Sequence, residues 1–210
     1  MQSFETLSQS VISGNKAQVK EIVNSMVAVD VSPLEIINQG LIGGMNVVGS
    51  RFKNGEMFIP EVLMSAKAMA AGIEIVKPMI AETDIPSAGK VVIGTVKGDL
   101  HDIGKNLVSM MLEGSGFTVI DVGVDGAPEK FVQVIKEHTP DIVGISALLT
   151  TTMLNMKYTI ELLKEEGLRE KVKVIIGGAP ISQEFANEIG ADGFAPDAAS
   201  AVELCKKLLV

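Results

Sequence analysis

The 210-residue sequence has one cysteine, no tryptophan and no run of basic residues. A lone Cys205 cannot close an internal disulfide, and without a cysteine cluster no thiolate zinc site can form. Disulfide scaffolds and zinc modules are therefore excluded, and a reducing, cytoplasmic setting is expected. The 18 Lys+Arg are outnumbered by 26 Asp+Glu, for a formal net charge of −8. A nucleic-acid partner needs a cationic face to displace phosphate counterions, so no nucleic acid is expected. No apolar stretch approaches the ~18 residues of a membrane span, and Met1-Gln2-Ser3-Phe4-Glu5 lacks the cationic-then-apolar order of a secretory leader. A soluble chain with no membrane partner follows as an expectation. What the sequence has in quantity is apolar residues, 47% of the total, enough for one large core or two small ones.

The apolar residues follow two rhythms. From Phe4 to about Ala81 they recur at helical spacing, and no segment alternates as a strand would. A short helix should end near Ser13-Gly14, and a second runs from about Lys16 with Val19, Ile22, Val23 and Met26 on one face. Ser32-Pro33-Leu34-Glu35 has the form of a capping box with proline in the first turn, starting a third helix that reaches about Phe52. A fourth should run from near Pro60 to about Ala81, which completes a four-helix bundle. Gly40, Gly43 and Gly44 inside the third helix each cost up to ~1 kcal/mol relative to alanine, so tight helix–helix approach is expected there.

Residues 83–89, with Pro86, Ser87 and Gly89, have linker composition and divide a helical domain (1–82) from an α/β domain (90–210). Beyond the linker, short β-branched runs alternate with amphipathic segments: Val91–Val96, Phe117–Val122, Asp141–Ser146, Val172–Ile176 and a weaker Ala191–Ala195. They predict a five-stranded parallel sheet covered on both faces, in a flavodoxin-like (Rossmann-like) winding.

In such a sheet ligands bind beyond the carboxyl ends of the strands, near the point where strand order reverses. After the first strand comes Lys97-Gly98-Asp99-Leu100-His101-Asp102-Ile103-Gly104, which holds one of only two histidines. A histidine presenting one ring nitrogen to a metal needs the other held by an acceptor. Asp99 is the better candidate acceptor, while Asp102 could cap the following helix. An exposed histidine beside a helix start is the plain alternative. After the third strand lies the hydroxyl-rich stretch from Ser146 and Leu148 through Thr150 and Thr152, which could simply cap a helix. After the fourth, Gly177-Gly178 could admit a ligand against bare backbone or simply form a turn. Together these strand ends describe a slot with a histidine at its mouth. A phosphate-binding Rossmann loop is excluded, because no Gly-x-Gly-x-x-Gly follows the first strand. His138, the methionines and Cys205 fall at a helix end, at helix-core spacings and in the last amphipathic helix, and read as structural.

Asp99-x-His101-x-x-Gly104, followed by Ser146-x-Leu148 and Gly177-Gly178, resembles the cobalamin-binding signature. With the Phe52-Lys53-Asn54-Gly55-Glu56-Met57-Phe58-Ile59-Pro60-Glu61 stretch of the helical half, the whole chain resembles the corrinoid proteins of methyltransferase systems and the cobalamin module of methionine synthase. The resemblance implies a cobalamin or related corrinoid bound base-off and His-on. His101 would be the lower axial ligand of cobalt, in place of dimethylbenzimidazole, with Asp99 on its other nitrogen and Thr152 completing the relay. Asp102, Gly104, Ser146, Leu148, Thr150, Gly177 and Gly178 would contact the cofactor and its nucleotide tail. Phe194 stands where the family carries a tyrosine. Phe52, Ile59 and Val62 would cover the methyl-bearing face.

The function implied is that of a methyl carrier in one-carbon metabolism, such as methanogenesis or acetogenesis. Cobalt(I) takes a methyl group from a small substrate on a substrate-specific methyltransferase and passes it, as methyl-cobalt(III), to an acceptor on a second one of tetrahydrofolate or coenzyme M type. A reductive activase belongs to the same partner set, and the chain would not be a complete enzyme alone. The alternatives are the small subunit of an adenosylcobalamin mutase, which needs no helical cap, and a receiver-like signalling domain. A receiver needs a lysine at the end of the fifth strand, and Ala191-Asp192-Gly193-Phe194-Ala195-Pro196 has none.

Overall fold

The computed structural model of the chain describes residues 3–80 and 87–209. Two compact units are formed, a helical one through Ser87 that also takes in Glu113–Gly116, and an α/β one of Ala88–Leu112 and the chain from Phe117 onward. Of the expected linker, residues 83–86 lie outside the described residues.

In the helical unit, α1 (Phe4–Ile12) starts where the Ser3 hydroxyl accepts the Thr6 N–H at 3.2 Å. The second helix, α2 (Lys16–Val27), starts where the Asn15 side chain accepts the Gln18 N–H at 3.1 Å. Its Val19, Ile22, Val23 and Met26 are buried, the face that the spacing predicts. The expected third helix is helical throughout but not uniform: α3 (Pro33–Glu35) runs through a π-helical segment (Ile36–Ile42) into α4 (Gly43–Lys53). Ser32 makes no side-chain cap bond, so the capping box read from Ser32 and Glu35 does not form. Instead the Glu35 carboxylate accepts from Gln39 at 3.5 Å.

The glycines of this helix meet α1. A Cβ at Gly40 would overlap Leu7, and one at Gly44 would sit 2.8 Å from the Val11 Cβ. The Ser8 hydroxyl donates to the carbonyls of Gly40 (2.8 Å) and Gln39 (3.2 Å), inside the π segment. The fourth long helix, α5 (Ile59–Val76), begins with the Phe58 N–H donating to the Glu61 carboxylate at 2.8 Å. It stops short of the expected Ala81 because Pro78, which has no N–H and restricts the residue before it, turns the chain into a 3-10 helix at Lys77–Met79.

The α/β unit alternates β1 (Lys90–Val96), α6 (Ile103–Gly114), β2 (Thr118–Gly126), α7 (Pro128–His138), β3 (Ile142–Ser146), α8 (Leu154–Glu165), β4 (Lys173–Gly177), α9 (Gln183–Ile189), β5 (Gly193–Phe194) and α10 (Ala198–Leu208). The sheet is parallel, in the order β2-β1-β3-β4-β5, the flavodoxin-like winding. Val92, Val96, Val143, Ile145, Val174 and Ile176 are buried in one core with Phe131, Met156 and Ile160 from the covering helices.

Two strands differ from expectation. β2 runs on to Gly126, past the expected Val122, and β5 shrinks to two residues. Beside β5, the Asp192 carboxylate accepts the Val174 N–H at 2.7 Å and pairs with Arg169 at 2.8 Å. Among the described residues no helix is long and apolar enough to cross a membrane.

Candidate functional site

The order of the strands reverses between β1 and β3, so the loops leaving these two strands border one crevice. The register sets Thr95 beside Ser146 and Ser146 beside Gly177, which brings three strand ends level. After β1 the chain turns at Gly98, whose φ of 80° suits a residue without Cβ, and runs through Asp99 and His101 into α6. The buried Thr95 hydroxyl donates to the His101 carbonyl at 2.9 Å, tying the loop back to its strand.

Asp99 is fully buried and its carboxylate collects a ring of donors. Oδ1 lies 2.6 Å from His101 Nδ1 and accepts the His101 N–H at 3.1 Å. Oδ2 accepts the N–H groups of Leu148 (2.8 Å) and Leu149 (3.3 Å) and the Thr152 hydroxyl (2.9 Å). Burial pushes the carboxyl pKa up. The bonds from the Leu148 N–H, the His101 ring and N–H, and the Thr152 hydroxyl outweigh it and hold the group well below the usual carboxylate range. Asp99 is thus a buried anion at neutral pH that fixes His101 by its Nδ1, leaving Nε2 of a half-exposed ring for another partner.

Of the two carboxylates beside the histidine, Asp99 holds the ring, whereas Asp102 accepts from the Asn106 side chain at 3.1 Å. The Thr150–Thr152 stretch does not cap α8, which has no side-chain cap bond. Thr152 is buried and its hydroxyl is shared between Asp99 and the Leu149 carbonyl, at 3.0 Å from the latter.

Around His101 the surface is apolar: Leu100 and Ile103 are 72% and 78% exposed, and Leu148 and Leu149 also face solvent. A Cβ on Gly104 would meet nothing within 4 Å, so there is open space at the first turn of α6. An imidazole held at Nδ1 by a buried carboxylate, an apolar collar and a gap beside it form a donor set and cradle that fit a flat, metal-centred macrocycle with a tail. The Gly177-Gly178 pair has a different basis. A Cβ on Gly178, which has φ 129°, would collide with the Ala147 carbonyl, and one on Gly177 would lie 2.9 Å from the Ala195 carbonyl. These glycines let strand ends pack on each other. Phe194 pairs in register with Ile176 and is half-buried, and Thr150 is exposed.

In the helical unit Phe52 is half-buried on α4, Ile59 is exposed at the start of α5, and Val62 is fully buried. Phe58, which belongs to the Phe52–Glu61 stretch that carries the resemblance, is 69% exposed beside Ile59. Two further residues near the histidine loop carry no motif. Asn155 donates to the Lys97 carbonyl at 2.9 Å, and Asp125 accepts the Gly98 N–H at 2.7 Å. Away from the crevice, His138 ends α7 beside a left-handed Thr139, and Cys205 is buried in α10 with its thiol pushed up to about 12 by that burial.

Comparison with known proteins gives a consistent picture. A B12 binding domain family matches residues 89–205, and a second family, also described as a B12 binding domain, matches residues 3–77. A corrinoid protein of Desulfitobacterium hafniense (strain Y51) is 47% identical over 212 residues, covering 100% of this chain and 98% of that protein. Dimethylamine corrinoid protein 1 of Methanosarcina mazei is 48% identical over 208 residues, covering 99% and 96%. Among solved structures, a chain of the methanol:cobalamin methyltransferase complex MtaBC from Methanosarcina barkeri superposes with a TM-score of 0.88 at 31% identity, covering 97% of this chain and 78% of that one.

Proposed function

The chain belongs to the corrinoid proteins built on B12 binding domains, and from that membership we propose that it is the methyl-carrying corrinoid subunit of a methyltransferase system. The observation that carries the reading is the Asp99–His101 pair: a buried anion holding Nδ1 at 2.6 Å while Nε2 stays available. When bound, the corrinoid supplies a cobalt that takes up a methyl group in its cobalt(I) form and releases it to an acceptor.

This chain's residues orient the cofactor and hold a proton. His101 Nε2 would hold the cobalt in place of the cofactor's own benzimidazole. Asp99 Oδ1 keeps the proton at Nδ1, and so fixes the tautomer whose Nε2 lone pair can coordinate. With the corrinoid held, His101 and Asp99 would form the relay through which a proton could enter or leave at Nε2. The Thr152 hydroxyl and the Leu148 N–H keep the Asp99 carboxylate charged throughout. Gly104 leaves room for the nucleotide tail, and Ser146, Leu148, Thr150, Gly177, Gly178 and Phe194 border its slot. The family resemblance assigns Phe52, Ile59 and Val62 to the methyl-bearing face, where they would exclude water.

The partners are a substrate-specific methyltransferase, a second methyltransferase of tetrahydrofolate or coenzyme M type, and a reductive activase. Relatives named for dimethylamine and methanol support a small methylated amine or alcohol as the methyl donor. Recognition of that donor belongs to the partner, so the purified chain alone should demethylate none of these compounds. Turnover without a partner would contradict the carrier role.

Electron paramagnetic resonance of the cobalt(II) form, after growth on nitrogen-15 histidine, tests the ligand directly. Superhyperfine splitting from the labelled nitrogen is expected. Splitting from benzimidazole nitrogen would remove His101 from the metal.

A further inference from the structure

We propose that Asp125, on β2, is a positioning residue that fixes the Gly98–Asp99 turn from which His101 is presented. The proposal rests on the reading of His101 as the cobalt ligand and adds to it a residue from a strand that supplies none of the site's other groups.

The first observation is in the ladder. Between Ile93 and Val96, β1 advances three steps while its partner β2 advances five, from Asp121 to Gly126, with register shifts on both sides of Gly94. Extra residues of this kind turn a side chain out of the ladder, and they are tolerated at a sheet edge, where β2 lies. The second is in the backbone. Asp125 has φ 51°, a left-handed conformation that is uncommon for residues with a Cβ but open to aspartate, whose short side chain can bond locally. The third is where its groups go. Asp125 Oδ1 accepts the Gly98 N–H at 2.7 Å, and the Asp125 N–H donates to the Asp99 carbonyl at 3.0 Å.

One residue therefore holds the amide before Asp99 and the carbonyl after it. Gly98 is itself left-handed, so this turn would otherwise be among the freest in the loop. Fixing it aims the Asp99 carboxylate, and the carboxylate fixes the ring of His101. Asp125 is exposed, so burial does not force these bonds on it. A solvated loop aspartate needs neither the left-handed backbone nor the two bonds.

Three variants separate the contributions. Asp125→Asn keeps an acceptor oxygen and tolerates the left-handed backbone. Asp125→Gly keeps the backbone and loses the acceptor, and Asp125→Ala loses both. Two quantities are read: hydrogen exchange of the Gly98 amide in the corrinoid-free protein, and the fraction of cobalt(II) signal carrying the labelled-histidine splitting after loading with cobalamin. In Asp125→Ala and Asp125→Gly, Gly98 should exchange about tenfold faster, as expected for loss of a hydrogen bond to a charged group. The histidine-split fraction should fall by about half or more, and Asp125→Asn should restore both. Wild-type behaviour in Asp125→Gly would overturn the proposal, and that variant decides if Asp125→Ala fails to fold. A wild type lacking the histidine splitting would overturn the ligand reading alone, and Gly98 exchange would then judge the clamp by itself.

Discussion

Asp99 shows what a single buried carboxylate can organise. Its folded pKa lies below the ordinary value of 3.8, so folding favours the charged form. The stabilisation this gives is therefore complete above about pH 3.8 and fades as the pH falls toward the lower folded value. Asp99→Asn, which keeps the shape but loses the charge, should destabilise the corrinoid-free protein by about 2 kcal/mol near neutral pH, the scale of charged hydrogen bonds lost in a buried site. The gap to wild type should close as the pH drops below that window. Denaturant unfolding at a series of pH values measures it, and a gap that widens in acid would contradict the sign.

The motif Asp99-x-His101-x-x-Gly104 was legible in the sequence because its residues are close together and chemically unusual. The donors that make it work were less so. The N–H groups of Leu148 and Leu149 leave no mark in side-chain identity, and Asn155 and Asp125 reach the loop from distant elements with ordinary residue types.

At the level of elements, strands buried on both faces announce themselves as apolar runs, as β1, β3 and β4 do. The far end of β2, Gly123-Val124-Asp125-Gly126, lies past the expected Val122 because its two glycines and aspartate break the apolar run while the strand continues through shifts of register. The π segment at Ile36–Ile42 keeps the helical periodicity, so spacing alone gave no sign of it.

Two glycines of the site should respond in opposite ways to the same substitution. Gly178→Ala must place a Cβ against the Ala147 carbonyl at φ 129°, and should lower stability by more than about 3 kcal/mol in thermal unfolding. Gly104→Ala meets open space on a helix, and should leave the corrinoid-free protein unchanged or up to ~1 kcal/mol more stable. Its corrinoid retention on gel filtration should nevertheless drop. Full retention would show that the nucleotide tail does not use that gap.

For the molecule as a whole, the two units make opposed demands on the proposed chemistry. The shield proposed for Phe52, Ile59 and Val62 would protect the methyl group, whereas in-line transfer needs a partner's substrate within ~3–3.5 Å of it. Phe52→Ala should make the methylated form more sensitive to photolysis without changing corrinoid content, which absorbance decay under controlled light records. A reversible disulfide joining the helical unit to the α/β unit should block transfer from the partner until it is reduced. Undiminished transfer in the locked form would show that the shield need not move. The fate of Cys205 bears on how such experiments are done. Buried in α10, with its thiol pushed up to about 12, it should react slowly with maleimides and in disulfide exchange. The native sequence thus offers a slow thiol background, and an exposed cysteine introduced in either unit should take a spin label or fluorophore as the faster-reacting sulfhydryl in the chain.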